Sequence, residues 1–162
     1  MNRLLLPLFL LFLMACNTET STNDQQPDTS QPAAVNTAPV AAKAYPIVPK
    51  DTIALLWEKC DFIDVVFYYE DFSLSQHTQH DIRGSLGHIS DQAAPVPAAC
   101  KPIGRIFYQV DGENRLEADL FFTEGCRFLL FYENNQPTYA NALSPDGINF
   151  FNNVFAKVKG GG

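Results

Sequence analysis

The sequence holds no apolar run of the roughly 20 residues that a membrane-spanning helix needs. Its amino-terminal run, Leu4 to Leu13, is ten residues long and is broken by Pro7. Clusters of Lys and Arg are missing too: 11 basic residues face 18 acidic ones, for a formal net charge of −7. That balance argues against nucleic acid and anionic lipid headgroups as partners. No Gly-rich phosphate loop, Gly-x-Ser-x-Gly elbow or His-Glu-x-x-His occurs, so no motif places a phosphate, an acyl-transfer serine or a zinc pair. Large apolar side chains are almost absent from residues 17–44, which are mostly Thr, Asn, Ser, Gln, Pro and Ala. Such a segment cannot bury enough surface to offset its ordering entropy. We expect a disordered tether over residues 16–44, reaching roughly 30 Å on average.

What is present begins with the order of the first 16 residues. Asn2 and Arg3 give a short, positively charged start, Leu4 to Leu13 an apolar core, and Ala15 a small residue ahead of Cys16. These are the parts of an export signal that is cut rather than retained. Leu13-Met14-Ala15-Cys16 resembles the lipobox of bacterial lipoproteins. The resemblance covers residues 1–16 and implies a signal peptide over 1–15, with a diacylglycerol on the Cys16 thiol. It also implies an acylated amino terminus, palmitate being one such chain. Two or three acyl chains, at about 0.8 kcal/mol per buried methylene, give lasting attachment where one does not. Asn17 differs from the Asp that keeps some lipoproteins in the inner membrane, so the outer membrane is the expected location. Cleavage removes Arg3 and no acid, leaving 10 basic and 18 acidic residues, a net of −8.

The foldable part is residues 45–159, a single-domain length, followed by a loose end at 160–162. Asp51 can cap a helix running to about Cys60, with Ile53, Leu56, Trp57 and Cys60 as its apolar stripe. Asp61 to Tyr69 is aromatic and β-branched and favours a strand. Ser75 can cap a second helix carrying Ile82, Leu86 and Ile89, and Ala93 to Pro102 reads as a loop. Residues 103–143 read as four strands separated by turn residues, so short that the strands must form an antiparallel meander. Even-numbered residues, among them Ile106, Tyr108, Leu116, Leu120, Phe128, Leu130 and Tyr132, make its apolar face. A last helix starts at Ser144-Pro145. The expected fold is α+β: a four-stranded antiparallel meander with helices from both ends of the domain packed on it.

Once Cys16 carries lipid, Cys60, Cys100 and Cys126 remain for an oxidising compartment. Loop closure separates the 60–100 and 100–126 pairings by only about 0.3 kcal/mol. Strand register favours the second, because it brings Cys100 back beside Cys126. Cys60 has a place in the stripe of the first helix. We therefore expect a Cys100–Cys126 disulfide and a free Cys60.

Candidate sites are few. His77, His80 and Asp81 have the spacing of weak metal ligands on a helix, with His88 further along. A solvated polar face explains them as well, so no cofactor or metal is assigned. Cys60 beside Asp61 lacks the nearby His of a thiol nucleophile. On the odd-numbered face of the sheet, Phe107, Phe121, Leu129 and Phe131 would cluster, ringed by Arg105, Asp119 and Arg127. Left open, this is a binding patch; covered by 61–69 or the first helix, it is a second core layer.

The reading that follows is a non-enzymatic envelope lipoprotein that binds or scaffolds another envelope protein. Alternatives are a small-ligand or lipid carrier with an aromatic-lined cavity, and a metal-dependent enzyme using His77, His80 or His88.

Overall fold

The computed structural model of the protein describes residues 42–160. The signal segment, Cys16, residues 17–41 of the expected tether and residues 161–162 of the tail lie outside the described residues.

Among the described residues, nine strands and three helices follow one another as β1 (Lys43–Ala44), α1 (Lys50–Lys59), β2 (Phe62–Phe67), β3 (Ser73–Gln76), α2 (Gln79–Leu86), β4 (Ile89–Ala93), β5 (Pro95–Val96), β6 (Gly104–Val110), β7 (Glu113–Thr123), β8 (Cys126–Glu133), β9 (Gln136–Leu143) and α3 (Pro145–Gly160). Seven strands form one sheet in the order β3-β2-β6-β7-β8-β9-β4, and β1 pairs with β5. All these pairings are antiparallel.

The α+β fold on a four-stranded meander is thereby overturned: the domain is mostly β, and its main sheet has seven strands. The added strands carried little signal. β3 is Ser-Leu-Ser-Gln and β4 is Ile-Ser-Asp-Gln-Ala. Both sit at the sheet's edges, where short polar strands guard against unwanted pairing and lack apolar alternation. Ser75, expected to cap a helix, lies in β3, and α2 is capped by Thr78, whose hydroxyl accepts from the Asp81 amide at 3.2 Å. Ile89, expected on that helix, belongs to β4, and the 93–102 loop contributes Pro95 and Val96 to β5. In α1, Leu56 and Cys60 at its C-cap are buried, but Trp57 is 43% exposed, with the Arg83 guanidinium 5.4 Å from its ring centre.

Register explains the second correction. Each two-residue turn pairs odd with even positions: Val110 faces Glu113, Thr123 faces Cys126, and Glu133 faces Gln136. Asp111 and Gly112 both have positive φ (53° and 78°), as do Asn134 and Asn135 (51° and 61°), the backbone of hairpin turns whose twist matches the strands. An irregularity at Tyr108/Gln109 restores even with even between β6 and β7, placing Ile106 opposite Ala118. No such shift intervenes between β7 and β8, so Leu120 faces Leu129 and Ala118 faces Phe131. The apolar face is therefore even-numbered on β6 and β7 but odd-numbered on β8, not even throughout.

That face packs against the helices. Ile63, Ile106, Tyr108, Leu120, Leu129 and Phe131 meet Leu56, Ile82, Leu86 and Phe151 in the main core. On the opposite face, Phe121 stacks on Phe128 at 4.3 Å. These two rings, with Leu130 and Ala140, lie under Tyr45, Ala94, Val96 and the Cys100–Cys126 pair. The disulfide joins Cys100 and Cys126 as the register implied, with Cα atoms 5.9 Å apart, and Cys60 is free and buried. Buried Asn141 binds the edges together: its Oδ1 accepts from the Val48 amide at 3.0 Å and its Nδ2 donates to the Ser90 carbonyl at 2.8 Å.

Candidate functional site

The β1/β5 pair covers only part of the face opposite the helices. Over β2, β6 and the first half of β7, side chains of that face meet solvent: Val66 is 39% exposed and Tyr68, just beyond β2, is 47% exposed. Phe62, Asp64, Arg105, Phe107, Gln109 and Glu117 are half-buried there. Their shared face follows from the pairings Asp64–Phe107, Val66–Arg105, Arg105–Asp119 and Phe107–Glu117.

At the inner end of this surface sits the buried carboxyl group of Asp119. Its Oδ1 accepts from Arg105 Nε at 2.9 Å and from the Tyr68 hydroxyl at 3.2 Å, and its Oδ2 accepts from the Tyr132 hydroxyl at 2.7 Å. A buried carboxylate is tolerated only with such partners. Arg105 also lies over the Tyr132 ring, 4.6 Å from its centre, and reaches Glu117 at 3.5 Å. The chain of contacts continues outward. Asn114 donates to Glu117 at 3.2 Å and accepts from Gln109 at 3.0 Å. Ser75 donates to Asp64 at 2.8 Å on the neighbouring strands. Beside Glu117 and Tyr132 a polar groove of about 470 Å³ opens, lined also by Asn114, Glu133, Asn134 and Asn135.

Tyr68, Tyr132 and Arg105 are all held in their ordinary charge states at neutral pH. Burial, then the hydrogen bond and charge of Asp119, push the Tyr132 phenol up to about 12. Tyr68 is raised for the same reasons, burial first. Burial pulls Arg105 down, but the hydrogen bond and charge of Asp119 more than offset it, leaving the guanidinium above its usual value. The cluster thus offers neutral phenols and a fixed cation. It holds geometry and presents hydrogen-bonding edges; it does not supply a group poised to trade protons near neutrality.

The expected patch is divided by the fold. Arg105, Asp119 and Phe107 stay on the open face, and Phe121 is beneath β5. Leu129 and Phe131 are in the main core, at 1% and 0% exposure. Arg127 pairs with Phe122 on the helix side, 5.9 Å from its ring centre. Phe121 keeps its face and is covered; the parity inversion between β7 and β8 moves Arg127, Leu129 and Phe131. It also brings Tyr132 to Arg105 and Asp119, which reading along single strands does not reveal. Tyr68 and Asn114 were likewise missed as site residues; only the odd-numbered pair Arg105 and Asp119 signalled the place.

The other candidates do not assemble. His77 and His80 are exposed, Asp81 bonds Thr78 at 2.7 Å, and His88 packs on Phe150 at 4.7 Å. Among the described residues no three His, Cys, Asp or Glu side chains gather as a metal site. Burial lowers His88, with Asp146 opposing, and burial raises the Cys60 thiol, away from a nucleophile's range. The space between Ile63, Tyr108, Leu129, Phe151 and their neighbours is about 10 Å³, at the lower limit for one water. The core there is solid; pockets of about 320 Å³, lined by Tyr69, Ile103, Phe122 and Phe155, and about 440 Å³, lined by Phe72, Leu74, Phe150 and Val154, lie at its margins. Comparison with protein-family models, curated proteins and solved structures finds no match.

Proposed function

We propose that the protein is a lipid-anchored envelope lipoprotein whose domain binds another envelope protein through the open half of its sheet. The anchor rests on the resemblance of Leu13-Met14-Ala15-Cys16 to a lipobox, with acyl chains on Cys16 and residues 17–41 as tether. The binding role rests on one observation: the uncovered surface built around Asp119. Tyr68 and Arg105 are held in place there while still meeting solvent. Tyr and Arg are the residues that carry most binding energy at protein interfaces, and pre-ordering them lowers the entropy lost on association. Placement in the outer membrane follows from Asn17.

The test compares the parent with a Cys16→Ser variant. The parent is expected in the membrane fraction with an acylated amino terminus by mass spectrometry, and the variant in the aqueous fraction. Affinity capture from crosslinked membranes is then expected to recover a partner with the parent and lose it with Tyr68→Ala/Arg105→Ala. An unmodified terminus on a water-soluble parent ends the anchor; equal capture by parent and double variant ends the binding face.

A further inference from the structure

We infer that the open face takes a partner protein through Lys or Arg side chains; this rests on the binding reading above and adds the partner's chemistry. The charges decide it. Asp64, Glu117 and Asp119 stand on the face and Glu133 lines the adjoining groove. Against the three acids of the face are Arg105 and, at the groove, Arg115. Arg105 is already bound to Asp119 and Glu117, so it neutralises acids of its own network rather than inviting an anion. Asp64 is bound only to a neutral hydroxyl, Ser75, and among the described residues no cation is bound to it; Glu133 instead bonds Tyr139, which packs on the helix-side core.

The apolar part of the face suits a cation with a long stem. Val66 and Tyr68 offer surface along which the methylenes of Lys or Arg can lie. Tyr69, edge-on to Tyr68 with 6.4 Å between ring centres, lines a pocket with Phe122 and Phe155 on the helix side, whereas the Tyr68 ring can receive a cation. One such contact is already built into the site, Arg105 over Tyr132. A second copy of this chain is disfavoured, because self-pairing sets acids against acids in a chain whose net charge is already −7. Anionic glycans and lipid headgroups meet the same repulsion.

The probe is octalysine, with octaglutamate and a neutral N-acetylglucosamine tetramer as controls, titrated into ¹⁵N-labelled Cys16→Ser protein at 50 mM salt. Octalysine is expected to move the amide resonances of Val66, Tyr68, Arg105 and Glu117 and to lose at least tenfold in affinity at 500 mM salt. Asp64→Asn/Glu117→Gln is expected to weaken it at least tenfold, while Glu58→Gln/Asp91→Asn, away from this face, changes it less than twofold. Circular dichroism verifies that both variants fold, and Asp64→Lys provides a single-site repulsive version. Shifts spread evenly over all acidic surfaces, equal effects of the two double variants, or perturbation by the tetramer alone overturn the inference. So does dimerisation through this face in sedimentation. A photo-crosslinking residue at position 66 of the lipidated protein separates the two levels. Crosslinks to a partner without octalysine binding at this face sink only the cationic chemistry; neither result sinks the binding face as well.

Discussion

Arg105 and Asp119 are direct cross-strand neighbours on β6 and β7, and the guanidinium Nε reaches the buried carboxylate at 2.9 Å. Because Tyr68 and Tyr132 converge on the same carboxylate, this pair fixes the relative positions of β2, β6, β7 and β8 on the open face. Asp119→Ala strips three donors of their acceptor at once. The expected loss is about 2–3 kcal/mol, read by urea unfolding. The solvent contact of Arg105, 28% of its side chain, keeps the figure in that range. Replacing both as Arg105→Met/Asp119→Leu is expected to cost less than the sum of the single changes, by at least about 1 kcal/mol. Simple additivity would show that the two do not act as a unit.

Phenol titration gives the second prediction. Tyr132 ionises at about 12 in the folded protein, against an ordinary 10. The folded state therefore holds its proton where the unfolded state releases it. The stability from this group is complete below pH 10 and is lost as pH rises through about 12. Ultraviolet titration is expected to show a late-ionising tyrosine that moves toward the ordinary value in Asp119→Asn, where the charge is gone. Buried Tyr108 is also raised, so both titrations are run on a Tyr108→Phe background; a late component unchanged there would assign the Tyr132 shift to burial alone.

The core strands were legible and the site was not, for one geometrical reason. Alternation in β6 and β7 announced Ile106, Tyr108, Leu116 and Leu120, and the disulfide followed from approximate register. Whether an alternating face carries across a hairpin depends on an irregularity such as that at Tyr108/Gln109, which leaves no residue signature here. One hairpin has it and the next lacks it, so Leu129 and Phe131 were placed on the wrong side and Tyr132 away from its partners. β3 and β4 were invisible because edge strands need polarity more than pattern. Helix α2 capped by Thr78 rather than by Ser75 is a smaller error of the same origin, since Ser75 belongs to the edge strand β3.

The cysteines separate in chemistry. Cys100–Cys126 closes a 26-residue span and ties the loop before β6 to the start of β8, above Phe121 and Phe128. Cys100→Ser/Cys126→Ser is expected to cost about 3 kcal/mol, measured as a lower denaturation midpoint. Cys60 is fully buried, with its thiol raised by burial and its Sγ 3.4 Å from the Phe62 carbonyl. In native Cys16→Ser protein a thiol reagent is expected to find no reactive group until denaturant is added. Immediate labelling would place Cys60 at an opening surface.

Asn141 offers the sharpest test of how the covered half of the sheet is held. The residue is 2% exposed and links three segments: β9 itself, the stretch before α1 through Val48, and the edge strand β4 through Ser90. The neighbouring residue adds backbone ties, since Ala140 donates to Pro46 at 2.9 Å and accepts from Ala94 at 3.1 Å. Asn141→Leu keeps the volume but leaves the Val48 amide and the Ser90 carbonyl without that partner. The expected cost is about 2–4 kcal/mol, one unmet buried group being worth about 1–3. The loss is local as well as global. Hydrogen exchange at Val48 and Ala94 is expected to accelerate more than at Leu120 or Phe131 in the sheet's centre, because the lid carrying Tyr45 and Val96 opens before the core does. Uniform acceleration across all four amides would show instead that Asn141 stabilises the domain as a whole and that the lid has no separate opening.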